Sequence, residues 1–184
     1  MNETYVELVR REFARLRDLA ERAMAQLNDE QFFAAPAPDD NSVAVIVKHM
    51  SGNLWSRWSD FLTSDGEKPG RDRDTEFRLE PGDTRVHLVE RWTLGWRTLF
   101  DALTPLRVAD LSRTIRIRGE PLTVLQGINR QLTHYAYHVG QIVYVAKHHR
   151  GAAWQTLSIP LGQSAAFNQQ PARYLEPGGP APVA

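Results

Sequence analysis

Four long stretches of the sequence repeat apolar residues at intervals of three and four, and this periodicity restricts the possible fold more than any other feature. Such spacing places the apolar side chains on one face of an α-helix. The stretches cover residues 4–27, about 41–62, about 83–103 and about 121–149. Four amphipathic helices with one long connection predict an all-α fold, a four-helix bundle.

The segments between these helices are the predicted loops. A long loop, residues 63–82, is rich in charge, Gly and Pro, and we expect it to fold over the end of the bundle or contact a partner, with its charges paired. Residues 114–118 alternate apolar and polar side chains and predict a short extended segment before the last helix, which should begin at Pro121 or Leu122. One strand cannot make a sheet, so the class stays all-α. We expect a single domain over residues 1–176 and a disordered Pro- and Gly-rich tail over residues 177–184.

The periodicity also predicts core positions in the last two long helices. In each helix the apolar residues recur on one face, which we expect to be buried against the other helices. The third helix contributes Val86, Val89, Trp92, Trp96, Leu99 and Leu103, and the fourth contributes Val124, Ile128, Leu132, Tyr135, Val139 and Ile142.

Composition excludes several classes of protein. The absence of cysteine rules out a disulfide framework, a Cys-ligated zinc, an iron–sulfur cluster and a cysteine nucleophile. Twenty-two basic side chains balance 22 acidic ones, which argues against a cationic nucleic-acid binder. No apolar run approaches the roughly 20 residues of a membrane span, and the polar N-terminus is not typical of a signal peptide. We therefore expect a cytoplasmic protein that binds neither nucleic acid nor membranes.

The motif His134-Tyr-Ala-Tyr-His138 is the sharpest chemical feature of the sequence. Residues four apart lie on one face of a helix, so the two imidazoles can chelate one divalent metal ion. A polar strip with Gln131 and Gln141 continues on this face, beside the apolar one. Either amide could orient a ligating imidazole or bind a coordinated water. Such a pair also occurs on solvated surfaces and among buried structural histidines.

Tight binding needs a third ligand, and the remaining histidines differ in their setting. His49 lies among apolar residues of the second helix, within a polar strip that contains Gly52 and Asn53. Gly52 would allow close approach of another helix or a ligand, and Asn53 could hydrogen-bond a metal-bound water or orient a ligating imidazole. His87 has a less clear setting. The two histidines at the end of the fourth helix, His148 and His149, should complement the helix dipole and face water.

Known metal and catalytic motifs limit the alternatives further. The chain has no His-Glu-x-x-His motif, which argues against a zincin protease, and no Glu-x-x-His pair of a carboxylate di-iron bundle. No Gly-x-Ser-x-Gly elbow supports a serine hydrolase.

Taken together, the motifs resemble the DinB/YfiT-like superfamily of metal-binding four-helix bundles, in a bacterial branch of unknown function. The similarity extends over nearly the whole chain before the predicted tail. It rests on the stretches VIVKHM with the following Asn53-Leu54, FLTSDGEKP with RDRD after it, INRQLTHYAYHVGQI, and SIP with Gly162, Ser164, Phe167 and Asn168.

This resemblance implies a metal ion bound by one histidine of the second helix and two of the fourth. Carried over to this sequence, the ligands are His49, His134 and His138. The resemblance also implies homodimers, and some members of the superfamily are thiol-dependent transferases or isomerases, or hydrolases.

Three neutral imidazoles leave a divalent ion with an open coordination position, which is typical of a reactive site. Zinc or nickel suits such ligands best, and iron or manganese is possible. We therefore expect a metal-dependent thiol transferase-like or hydrolytic enzyme with a cleft for a small-molecule substrate or thiol. One alternative is a noncatalytic metal- or small-ligand-binding, stress-associated protein, in which a protein side chain blocks the open position or no cavity adjoins it. The other is a bundle without metal, in which His49 lies far from the other two histidines.

Overall fold

The structure, a computed structural model, describes residues 4–169. The predicted tail over residues 177–184 and the end of the predicted domain at residue 176 lie outside this range. Four long helices and two short ones dominate the described part, which confirms the all-α class. They are α1 (Tyr5–Met24), α2 (Asp29–Phe33), α3 (Val43–Trp58), α4 (Arg85–Leu103), α5 (Val124–Arg150) and α6 (Ser164–Gln169).

Each of the four long helices begins at a hydroxyl side chain. Thr4, Ser42, Thr84 and Thr123 each accept a hydrogen bond from the backbone N–H three residues further on. This interaction satisfies one of the N–H groups that a helix start leaves without an intrahelical partner. Gly151 ends α5 with a positive φ of 52°, a conformation that glycine adopts without steric cost.

A two-stranded antiparallel hairpin precedes α5, with strands β1 (Thr114–Ile117) and β2 (Glu120–Thr123). The prediction of a single extended segment was therefore incomplete, and a helix start at Pro121 or Leu122 was wrong, since both residues lie in β2. Pro121 lies opposite Arg116 in the hairpin, where a two-stranded sheet has only edge positions and tolerates proline. The turn residues Arg118 and Gly119 both have positive φ, which matches the twist of a tight hairpin.

Two other helix boundaries differ from the prediction. The five-residue helix α2 was missed because it is too short to show an apolar period. The helix α3 ends at Trp58 and not near Leu62, since Asp60 adopts a positive φ of 49° that stops the helix.

The core lies around α3, which packs against α4 and α5, while α1 packs against α5. The predicted core face of α5 is confirmed, except that Leu132 is only half-buried. On α4 the prediction was wrong for Val86 and Val89, which are 69% and 37% exposed. Gly95 of α4 lies so close to Leu54 of α3 that an added Cβ would be 2.9 Å from the Leu54 Cβ. Because α4 packs against α3 on the side of Gly95, Leu88 is buried and the two valines are exposed to solvent.

Tyr135 combines core packing with a buried hydrogen-bond network beneath the histidines of α5. Its hydroxyl accepts from Trp58 Nε1 and donates to Asn53 Oδ1, both at 3.0 Å. Burial raises the pKa of Tyr135, so the hydroxyl keeps its proton. The network joins α3 to α5 close to the candidate site.

We expect Tyr135→Phe to lower the free energy of unfolding by about 1–3 kcal/mol, because it leaves the buried indole N–H and amide oxygen without partners. Urea unfolding followed by tryptophan fluorescence measures this change. Replacing the exposed Tyr144 with phenylalanine is the matched control and should leave the midpoint unchanged. Equal midpoints for the Tyr135 variant and the native chain would contradict the proposed role of the hydroxyl.

No helix within residues 4–169 has the length and apolar character that crossing a membrane requires.

Candidate metal centre

Three imidazoles from two helices converge at one point beside the bundle core. His49 comes from α3, and His134 and His138 come from successive turns of α5. One ring nitrogen of each lies within 4.8 Å of the other two, and His134 Nε2 is 3.1 Å from His138 Nε2. The structure therefore brings together the three histidines that the sequence singled out, and the cluster could hold a metal ion.

Gln141 orients one imidazole of the pair on α5. Its Oε1 lies 2.7 Å from His138 Nδ1, so Nδ1 carries the proton and donates it. The other ring nitrogen, Nε2, then presents a lone pair toward the cluster. Gln141 Nε2 in turn donates to the Tyr137 hydroxyl at 3.2 Å, which fixes the amide. The orienting role predicted for Gln141 agrees with this geometry.

A buried carboxylate orients the imidazole on α3. Glu76 lies in a short 3₁₀ turn, Asp74–Phe77, within the long charged loop. Its Oε2 is 2.8 Å from His49 Nδ1, and both side chains are buried. Arg71 donates two hydrogen bonds to the same carboxylate, at 2.8 and 2.9 Å. A carboxylate behind a ligating histidine sets its tautomer and raises its basicity.

Gly52 provides the space that this carboxylate occupies. It lies on α3 one turn after His49, and an added Cβ would overlap Glu76 Oε1. The sequence-based expectation that Gly52 allows a close approach agrees with this contact, although the approaching group is a loop carboxylate and neither a helix nor a ligand.

We expect Gly52→Ala to displace Glu76 from His49 and to lower metal affinity by about tenfold or more, the usual effect of losing an outer-shell partner. Some stability should also be lost, because the displaced Glu76 Oε1 accepts a hydrogen bond from Arg71 Nε, and the preference of helix interiors for alanine offsets only about 1 kcal/mol of that loss. Competition titration with a chromogenic zinc chelator measures the affinity. Gly140→Ala, at a helical glycine with open space around it, is the control. Native affinity in the Gly52 variant would contradict the steric role.

Burial keeps both imidazoles of α5 neutral. Desolvation, followed by the neighbouring histidines, lowers the pKa of His134 to about 3. Desolvation also lowers the pKa of His138 to about 4, against the opposing effect of Gln141. For Glu76, burial alone would raise the pKa, but hydrogen bonds from His49 and Arg71 outweigh it and hold the pKa low. The α5 pair thus presents neutral nitrogen donors, and an ionised carboxylate lies behind His49.

These donors fit a divalent cation. Two nitrogens at about 2.0–2.1 Å from a tetrahedral ion would be about 3.3 Å apart, close to the 3.1 Å between the two Nε2 atoms of α5. Neutral imidazole is the form that ligates metals. Within residues 4–169, the cluster contains these three histidines and no further Asp, Glu, Cys or His. A metal bound here would keep a coordination position open to other ligands.

A cavity of about 630 Å³ opens at the cluster, and all three histidines line it. Phe77, whose ring centroid is 4.7 Å from that of His49, forms part of the wall. Five arginine side chains also line it: Arg57, Arg71, Arg73, Arg118 and Arg130. The space is large enough for a small molecule.

Comparison with known proteins places the chain in a family. The family model described as a protein of unknown function, DUF1572, matches residues 1–163. The chain belongs to the DUF1572 family. The expected membership of a family of unknown function is thus confirmed, while the DinB/YfiT-like superfamily stays a prediction.

A solved structure shares the fold of this DUF1572 protein. The crystal structure of a conserved protein from Enterococcus faecalis aligns with a TM-score of 0.57 and 16% sequence identity, over 79% of this chain and 97% of that one. At this identity the likeness shows the fold alone. No curated protein matches the chain.

The other polar candidates from the sequence have varied positions. Asn53 lines the cavity and accepts the Tyr135 hydrogen bond, and Gln131 lies buried on the cavity wall. Arg130 forms an ion pair with Glu120 at 3.2 Å and also lines the cavity. His87 is exposed beside Gly82.

At the end of α5, the expectation of solvent-facing histidines holds for one of the two. His148 is exposed. His149 is half-buried and its Nε2 lies 2.9 Å from the Ala34 carbonyl oxygen, so a full exposure to water was wrong for this residue. The contact links the end of α5 to the segment after α2.

Sequence reasoning missed the pair Glu76 and Arg71. Both lie in the loop over residues 63–82, for which only paired charges were expected. No periodic pattern marks a loop carboxylate as the partner of a histidine 27 positions earlier. The one available signal was Gly52 on the second predicted helix, because a glycine there indicates that another group packs closely against the helix.

Proposed function

We propose that this DUF1572 protein is a metal-dependent enzyme in which His49, His134 and His138 bind a divalent ion, and that it acts as a thiol transferase or a hydrolase on a small molecule. The observation that carries the proposal is the convergence of three imidazoles, two of them held by hydrogen bonds to Glu76 and Gln141, on the wall of a cavity. A purely structural ion is normally enclosed by four protein ligands.

The hydrogen-bond acceptors of the imidazoles support a metal-binding site and argue against a chance cluster of histidines. Glu76 and Gln141 each accept the Nδ1 proton of a different histidine, at 2.8 and 2.7 Å. Both interactions leave Nε2 directed to the common centre. Histidines with a purely structural role would not need two different acceptors that both leave Nε2 directed to the same point, whereas metal-ligating histidines commonly have such acceptors.

The residues around the histidine cluster have distinct roles in this proposal. A bound divalent ion supplies Lewis-acid activation of a water or thiol. Glu76 and Gln141 hold two of the imidazoles, the wall residues Tyr137 and Gln131 offer hydrogen bonds to substrate, and Phe77 covers one side. Since the chain has no cysteine, any reacting sulfur must belong to a cosubstrate.

Several finer features belong to the proposal. Zinc or nickel is the expected ion, with iron or manganese as the alternatives, because all four accept imidazole ligands. The superfamily assignment to DinB/YfiT-like bundles, the homodimer and the cytoplasmic location likewise rest on the resemblance and the composition. The likeness in fold to a bacterial protein is compatible with the assignment.

A turnover assay with a panel of low-molecular-weight thiols and an electrophilic acceptor tests the enzymatic proposal, with a parallel panel of ester and amide substrates for hydrolysis. We expect metal-dependent turnover that His49→Ala reduces by at least about a hundredfold, since removal of one key electrostatic group typically has an effect of this size. His87→Ala, at an exposed histidine on α4, should keep native activity.

Rates that do not change in the His49 variant would exclude metal-based activation at this site. Stoichiometric metal with no turnover on either panel would instead favour the noncatalytic metal- or small-ligand-binding protein.

A further inference from the structure

The cavity wall carries much more positive charge than its own surface neutralises. Five arginines line it, and among the described residues no Asp or Glu belongs to the lining. The carboxylates that pair with these arginines lie behind or beside them. A wall of guanidinium groups facing a small-molecule cavity suits a negatively charged ligand, because arginine presents several N–H donors in a fixed plane.

One carboxylate is shared among three of the guanidinium groups. Glu67 Oε2 is 2.9 Å from Arg57 Nη2, 2.9 Å from Arg118 Nε and 3.6 Å from Arg71 Nη1. Burial would raise the pKa of Glu67, but hydrogen bonds from Arg118 and Arg57 outweigh it and keep the group ionised. Arg71 is also paired with Glu76, so two carboxylates face three guanidinium groups. Desolvation, and then the nearby charge of Arg71, lower the pKa of Arg57, which reflects this crowding.

Arg71 holds an unused donor within this group. Its side chain is 2% exposed, and Nε and Nη2 are both committed to Glu76. Nη1 is buried and has no hydrogen-bond partner within residues 4–169, and its distance of 3.6 Å to Glu67 is too long for one. A buried guanidinium N–H without an acceptor is unfavourable, so it indicates a ligand oxygen at that position.

Gln131 provides a second unsatisfied atom on the same wall. The residue is 3% exposed, and its Oε1 has no hydrogen-bond partner in the described part of the chain. This oxygen accepts and cannot donate, so it complements a ligand N–H or O–H, while Arg71 Nη1 complements a ligand oxygen. Two buried groups of opposite hydrogen-bonding character thus line one cavity beside the histidines.

We propose that the cavity binds an oxyanion group, a carboxylate or phosphate, of the small molecule that reacts at the histidine cluster. The inference rests on the proposed function for the reaction itself. Arg71 links the two parts, because it hydrogen-bonds Glu76 and Glu76 hydrogen-bonds His49. Arg71 offers the buried donor, and the half-exposed Arg73 and Arg130 approach the oxyanion from the solvent side. The substrate class is an anionic small molecule whose charged group lies near its reacting atom.

Isothermal titration calorimetry with inorganic phosphate, and separately with malonate, tests anion binding directly. The full chain is titrated as purified and again after metal removal by dialysis against EDTA. The test variant is Arg73→Gln/Arg130→Gln, at two partly exposed positions whose replacement should not disturb folding. The control is Arg97→Gln/Arg113→Gln, which removes the same charge away from the cavity.

We expect at least one of the two anions to bind the metal-free native chain and the control with equal affinity, and to bind the test variant at least about fivefold more weakly, as the loss of charge-assisted hydrogen bonds predicts. Binding by phosphate but not malonate would assign a phosphate group, and the reverse would assign a carboxylate. No binding to the native chain, or equal affinities for the two double variants, would overturn the proposal.

A second measurement separates this inference from the proposed function. Cobalt-loaded protein is titrated with 3-mercaptopropionate and with the neutral 3-mercaptopropanol, and the sulfur-to-cobalt absorption band reports binding. We expect the native chain and the control to prefer the carboxylate thiol, and the test variant to lose most of that preference. Equal binding of both thiols to the native chain would overturn the oxyanion site while leaving thiol activation in place. Phosphate or malonate binding without any thiol band would contradict thiol activation and keep the oxyanion site.

Discussion

The variant His138→Ala is expected to lose stoichiometric binding of a divalent metal ion. One of three ligands would be gone, and loss of an outer-shell partner alone typically weakens metal binding by about ten- to hundredfold. We therefore expect the affinity for zinc to fall by more than about a hundredfold. Metal analysis of protein purified without a histidine tag, together with chelator competition, measures the change.

The control for this prediction is His148→Ala, an exposed histidine on the same helix. It should bind metal as the native chain does. Equal metal content in the His138 variant and the native chain would eliminate the chelate. The variant should also unfold at nearly the native denaturant concentration, since an open reactive site adds little to folding. A loss of several kcal/mol would point to a structural ion.

The variant Glu76→Ala is expected to have the largest effect on stability. It leaves the charge of the buried Arg71 without the carboxylate that accepts two of its hydrogen bonds. Removing one partner of a buried ion pair typically lowers the free energy of unfolding by about 3–5 kcal/mol. His49 would also lose the acceptor that fixes its tautomer, so metal affinity should fall by about ten- to hundredfold. Urea unfolding and zinc titration measure the two effects separately.

The conservative variant Glu76→Gln separates charge from orientation. Its amide oxygen can still accept from His49 Nδ1, whereas Arg71 would face a neutral group. We expect metal affinity closer to native than in the alanine variant, with stability between the two. Glu80→Ala, an exposed carboxylate near the end of the same loop, is the surface control and should change neither property. Native stability and native metal affinity in Glu76→Ala would contradict the role of the carboxylate.

Much of the fold could be predicted because the four long helices begin at good N-caps and α1, α4 and α5 are amphipathic, whereas α3 is buried on nearly all sides. The apolar face of α5 has the period of a buried stripe, and Thr84 marks the start of α4. The cap of α5 at Thr123 was missed, because Pro121 also suits a first helical turn. On α4 the buried positions Trp92, Trp96, Leu99 and Leu103 were predicted, but the first turn was not, because Leu88 and Val89 are both apolar neighbours and only the close packing at Gly95 decides between them. Such contacts depend on the tertiary arrangement and leave no periodic signal.

Part of the candidate site could likewise be predicted from the sequence, and part could not. The spacing of His134 and His138 places both on one helix face, and the apolar setting of His49 marks it as buried. Their orientation depends on Gln141, which follows on the same helix and could be anticipated, and on Glu76, which could not. The turn that holds Glu76 has no helical period, and its position depends on how the loop over residues 63–82 crosses α3.

The most direct test of the three-histidine centre is a crystal structure of the protein, purified without a tag, with diffraction data collected on both sides of the absorption edge of the metal found by elemental analysis. We expect one strong anomalous peak about 2.0–2.1 Å from the Nε2 atoms of His49, His134 and His138. Stoichiometric metal whose anomalous peak lies elsewhere in the molecule, or a protein that contains no metal after purification and reconstitution, would contradict the centre.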